Sequence, residues 1–181
     1  MVYVFLAQGF ETIEALTVVD ILRRGKVEVA TVSITDSLLV ESAQKIAVQA
    51  DLCIADIEED AKMYVLPGGI PGTPNLKNCA KVMECIKKQY EKGGYIAAIC
   101  AAPSIFAELG YLEEKEAIAY PDYEEVLSQN GASVVRKGAV VAGNVITGRA
   151  MGTAIDFGLA ILSVLAGENC AKQVADAIVY E

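Results

Sequence analysis

The sequence predicts one α/β domain with a mainly parallel central sheet between two layers of helix. Strand-like apolar runs alternate with helical patterns along the chain, the order from which parallel sheets are built. Several of those runs are nearly continuous in apolar residues, as expected where helices cover both faces of a sheet. At 181 residues, with no linker, repeat or low-complexity segment, the chain fits a single domain, 1–181, with a sizeable core.

Taken in order, strands are expected at Val2–Ala7, Val27–Ile34, Lys62–Leu66 and Gly94–Cys100, and helices at Thr12–Arg24, Cys79–Lys92 and Pro103–Leu109. Gly and Pro fall at the handovers between them. Pro103 favours a helix start, where its missing N–H costs nothing. Ser133–Arg136 and Ala139–Val141, joined by Lys137-Gly138, read as a small β-hairpin. Val145–Thr147 then returns to the sheet before a long helix from Gly152 to Leu165.

Hydrophobic residues make up 54% of the chain and the mean hydropathy is +0.38. That excess points to surface buried against a second copy, hence a homodimer. No run approaches the roughly 20 apolar residues that span a bilayer, and the most apolar stretch, 154–166, carries Asp156. The first residues lack a basic leader region, so a cytoplasmic location is expected. A net charge of −9 argues against nucleic acid and acidic membrane surfaces as partners. Five cysteines, none in a C-x-x-C pair, are expected as free thiols. The absence of histidine excludes a Cys-His dyad, a Ser-His-Asp triad and most catalytic zinc sites, and no metal site is expected.

Ligands of open parallel sheets bind beyond the carboxyl ends of the strands. Three such ends stand out: 8–14 with Glu14, Pro67-Gly68-Gly69, and Cys100-Ala101-Ala102-Pro103. Ala98-Ile99-Cys100-Ala101-Ala102 has the logic of a nucleophile elbow, a reactive apex with small residues two positions either side. The helix start beyond it favours a thiolate, and the N–H groups of Ala101, Gly68 and Gly69 are candidate oxyanion donors. The bland alternative is a buried, inert cysteine. Cys79 and Cys85 read as packing residues, while Cys53 and Cys170 have no supporting context. Glu14 and Glu11 both fit a first-turn carboxylate favouring the helix dipole; Glu14 gains a role only if it faces Cys100. Arg23, Arg24 and Arg149 could bring positive charge to the pocket, or be structural, with Asp20 and Arg24 spaced as an i,i+4 pair.

At these residues the chain resembles the ThiJ/PfpI superfamily, specifically its parkinsonism-associated deglycase branch, nearly end to end. The resemblance rests on Gly9-Phe10-Glu11-Thr12-Ile13-Glu14, Val19-Asp20-Ile21-Leu22-Arg23-Arg24, Val65-Leu66-Pro67-Gly68-Gly69, Ile96 to Pro103, and Thr147-Gly148-Arg149 with Gly152-Thr153. It implies a flavodoxin-like three-layer sandwich that usually dimerises, with Glu14 at the family's active-site glutamate and Cys100 at its nucleophile. It also implies no cofactor. Members of this branch often carry a histidine before a proline near the cysteine, and here that site reads Tyr120-Pro121.

A carboxylate beside a thiolate would oppose it, so the pair works only by sharing one proton, as a thiolate with a neutral acid. The expected chemistry is glyoxalase- or deglycase-type, on small α-oxoaldehydes such as methylglyoxal or their early adducts. Two other readings stand beside it: a stress protein sensing an oxidant through Cys100, and a chaperone or binding subunit in which Cys100 is incidental.

Overall fold

In the computed structural model, which describes residues 1–58 and 60–180, the first strand sets the layers. Val2, Val4 and Leu6 face one core, Tyr3 and Phe5 the other, and all five are at most 2% exposed. A strand apolar on both faces is stable only with helices above and below. The chain supplies them in the order β1 (Val2–Leu6), α1 (Thr12–Arg24), β2 (Val29–Ser33), β3 (Leu39–Glu41), β4 (Ala47–Gln49), β5 (Leu52–Cys53), β6 (Met63–Leu66), α2 (Gly72–Asn78), α3 (Ala80–Glu91), β7 (Tyr95–Ile99), α4 (Pro103–Glu108), β8 (Glu116–Ala117), α5 (Pro121–Gln129), β9 (Ser133–Val134), β10 (Ala139–Ala142), β11 (Val145–Gly148), α6 (Ala154–Ala166) and α7 (Glu168–Ala177).

Seven strands form one sheet in the order β10-β11-β7-β6-β1-β2-β5, parallel except for β10. Residues of α1, α6 and α7 pack on one face, including Val18, Leu22, Phe157, Ile161 and Val174. Val82 and Ile86 of α3, Ile105 and Phe106 of α4 and Leu127 of α5 pack on the other. From β1 the chain crosses to β2 on one side, then returns to lay β6 against the opposite side of β1. This reversal opens a crevice at the carboxyl ends of β1 and β6, the usual ligand position in such sheets.

The expected hairpin is displaced. Ser133–Val134 pairs in parallel with β8 in a separate small sheet, whereas β10 turns through Gly143 and Asn144 into β11. A second hairpin, β3–β4, is not expected from the sequence, because its strands are three residues each, Leu-Val-Glu and Ala-Val-Gln, too short to show alternation. Its place is fixed by loop 8–10: Gly9 N–H donates to the Glu41 carbonyl (2.8 Å), Glu41 N–H to Gln8 Oε1 (2.9 Å) and Ala43 N–H to the Phe10 carbonyl (2.9 Å). The long late helix begins one short turn later than expected, after a 3-10 segment at Met151–Thr153. Among the described residues, no helix is long and apolar enough to cross a membrane.

Candidate active site

Three strand ends meet at the crevice. After β1, Glu11 caps α1, its Oε2 accepting from the N–H of Glu14 at 2.8 Å. Glu11 is therefore the cap rather than a second first-turn carboxylate, and Glu14 is left to turn inward, 1% exposed. After β6, the N–H of Gly68 donates to Glu14 Oε2 at 2.9 Å. A side chain at Gly68 would have its Cβ 2.6 Å from Cys100 Cβ, 2.7 Å from Glu14 Oε2 and 3.1 Å from Cys100 Sγ. Only glycine fits between the thiol and the carboxyl. Gly69 has φ +96°, and a Cβ there would lie 2.5 Å from the Glu11 nitrogen. The glycine pair thus lets the β6 turn press against the start of α1.

After β7, Cys100 sits at φ +66°, in the left-handed region that costs an L-residue about 1–2 kcal/mol. Two backbone bonds hold it there: its N–H donates to the Gly148 carbonyl (3.0 Å) and its carbonyl accepts from Tyr120 N–H (2.8 Å). Ser104 Oγ closes the turn on the Ala101 carbonyl at 2.7 Å. The strained apex aims the half-buried thiol at Glu14, to which it is hydrogen-bonded. The N–H groups of Ala101 and Gly69 also reach the sulfur. Gly68 departs from its expected role, since its N–H holds the carboxyl instead.

The electrostatics follow from burial. Desolvation raises the Glu14 carboxyl from 4.5 to about 7, helped by the charge of Glu11 and opposed by hydrogen bonds to Cys100, Gly68 N–H and Met151 N–H. Glu14 Oε1 is buried without a well-aligned donor, a position that suits a protonated oxygen better than a charged one. The Cys100 thiol is pushed up to about 12, first by burial, then by the charge and hydrogen bond of Glu14; Ala101 and Gly69 N–H act the other way. The helix start beyond Cys100 does not by itself make a thiolate. The two groups titrate as a unit, with a first proton leaving near 7 and the second near 12. Over the interval between, they share one proton.

Cys100, Glu14, Gly68, Gly69 and Ala101 are therefore brought together as the sequence anticipated. Tyr120 joins through its backbone, while its side chain is 42% exposed. Arg149 follows Gly148 and is half-buried, its N–H spent on the Gly138 carbonyl. Arg24 is not at the pocket. It lies ten residues beyond Glu14 on α1, about 15 Å along the axis at 1.5 Å per residue, and pairs with exposed Asp20 at 2.6 Å. Met151, whose N–H reaches Glu14, was missed; the only signal was its place in the loop after Thr147-Gly148-Arg149.

The sequence matches the DJ-1/PfpI family over residues 1–164, and the chain belongs to that family. It is 35% identical over 179 residues to the DJ-1alpha protein of Drosophila melanogaster, covering 98% of this chain and 82% of that one. A glutathione-independent glyoxalase of Caenorhabditis elegans is 29% identical, with 87% of this chain and 83% of that protein covered. DJ-1 homolog A of Arabidopsis thaliana is 35% identical over 94% of this chain, which spans 44% of that relative's length. The solved structure of oxidized Toxoplasma gondii DJ-1 superposes with a TM-score of 0.93 at 30% identity, covering 99% of this chain and 97% of that one. The flavodoxin-like fold and the family resemblance are thereby both established.

Proposed function

We propose that this chain is a cysteine-dependent, cofactor-free glyoxalase- or deglycase-type enzyme acting on small α-oxoaldehydes such as methylglyoxal or their early adducts. The observation that carries this reading is the contact of the half-buried Cys100 thiol with the buried Glu14 carboxyl, the pair holding one proton beside the Ala101 and Gly69 N–H groups. A family relative named as a glutathione-independent glyoxalase supports it. As the Cys100 sulfur adds to the aldehyde carbon, the Glu14 carboxylate takes the thiol proton and passes it to the carbonyl oxygen, forming a hemithioacetal. The Glu14 carboxylate then removes the hydrogen of that carbon and returns it to the neighbouring carbon through an enediol. The resulting thioester is hydrolysed by water, releasing a hydroxy acid and the thiol; the net change is addition of one water, with no oxidant or reductant. With Tyr120 in place of the family's histidine, every proton transfer falls to Glu14.

The test is methylglyoxal consumption in a non-amine buffer, with lactate as the detected product. Cys100→Ser and Glu14→Gln are each expected to lose about a hundredfold or more of kcat/KM. Absence of turnover in the wild type would sink the proposal. The half-buried thiol also supports a second reading, an oxidant sensor without efficient turnover, and the Toxoplasma relative was solved oxidized. Mild peroxide that adds two oxygens selectively at Cys100, in a chain inert to aldehydes, favours that reading. In either case the proposed working form is a cytoplasmic homodimer.

A further inference from the structure

Four large, exposed apolar residues carry, or adjoin, groups of the Cys100–Glu14 site. Ile13 precedes Glu14 and is 47% exposed. Ile70, 56% exposed, follows Gly69, whose N–H reaches the sulfur. Met151, 52% exposed, gives its N–H to Glu14, and Tyr120, 42% exposed, gives its N–H to the Cys100 carbonyl. Among the described residues nine large apolar residues are exposed, and these four lie, along the chain, at or next to the groups that hold the pair. Isolated apolar residues on a surface need no explanation, but a concentration around one reactive group does. The charge that acts on Glu14 from nearby is another carboxylate, Glu11, on a chain of net charge −9. An anionic substrate meets repulsion there, and an apolar group can shed water against Ile70 and Met151.

We propose that the site selects uncharged α-oxoaldehydes bearing an apolar substituent, with Ile70 and Met151 as specificity-determining residues. This deepens, and rests on, the glyoxalase reading. The substituent is bound beside the sulfur before addition and stays bound through the enediol, so the preference is read in kcat/KM. Selectivity comes from desolvation of a ring-sized group, worth about a tenfold difference between phenyl and methyl substituents.

The experiment compares methylglyoxal, phenylglyoxal and 4-carboxyphenylglyoxal with wild type, Ile70→Ser, Met151→Ser and the double variant. Val179→Ser, exposed near the C-terminus, is the control. Comparing substrate ratios between variants cancels the intrinsic reactivity of each aldehyde. The expected result is a phenylglyoxal-to-methylglyoxal ratio that falls about fivefold or more in the double variant and stays constant in the control. The 4-carboxy compound is expected to be about tenfold poorer than phenylglyoxal at low salt, the gap narrowing as salt is added. Methylglyoxal turnover with ratios unmoved by both substitutions overturns the specificity proposal and leaves the enzyme reading intact. No turnover of any of the three aldehydes overturns both.

Discussion

Glu14 is a carboxyl group whose folding and chemistry are in tension. Its titration is raised by burial from 4.5 to about 7, so the folded state holds a proton there that the unfolded state has released. A raised value means stability is fully present below pH 4.5 and is lost as pH climbs through 7, by about 3 kcal/mol for a shift of this size. The thiol, raised from 9.0 to about 12, adds a second decline beginning near pH 9. Denaturant unfolding across this range is expected to show two falls with a plateau between them. Glu14→Gln removes the first, making the variant more stable than wild type at pH 8 and comparable at pH 4. Equal pH dependence in the two proteins would contradict the buried assignment. The glycine pair and the small-residue elbow were legible as local patterns, whereas Glu14 was set apart from Glu11 only by the family resemblance. The direction of the thiol's shift was not legible, since a local pattern carries no burial, and burial outweighs the helix start.

At the scale of elements, α1 is an instrument for placing Glu14. Its cap Glu11 fixes where the helix starts and therefore which residue faces the crevice. Its charge also adds to the raised titration of Glu14. Glu11→Gln keeps an amide oxygen to accept from the Glu14 N–H while removing the charge. The rise of kcat/KM with pH, expected near 7 in the wild type, should then have a lower midpoint, with thermal stability changed little. An unmoved midpoint would mean that Glu11 acts as a cap only. The sequence located α1 from its apolar spacing, and 12–24 stands as expected. It misplaced the late hairpin because Ser133–Val134 and Ala139–Val141 look alike in a one-dimensional pattern, and partner choice depends on β8, two residues long. The short α2 was equally invisible, since seven residues with a proline and two asparagines carry little helical signal.

Across the whole molecule, the parallel topology was legible from alternation alone, whereas strand order was not. The reversal between β1 and β6 arises from packing between distant segments. On α6, Ile155, Leu159, Val164 and Leu165 are only partly buried, leaving apolar surface on a helix of unusually apolar composition. That surface and the 54% hydrophobic content lead to the expectation of a dimer. Sedimentation equilibrium at micromolar concentration should give twice 19.2 kDa, and a monomer at that concentration would leave the composition without its explanation. The spread of the site along the chain has a further consequence. Glu14 is translated early, Cys100 in the middle and the Met151 amide late, after β11, which supplies the Gly148 carbonyl that holds the elbow. Until β11 and the loop after it have emerged from the ribosome, neither the Gly148 carbonyl nor the Met151 amide is there to hold the elbow and the carboxyl. The coupling of thiol and carboxyl therefore depends on segments translated last, and arises only once β11 and the loop after it have packed against the elbow.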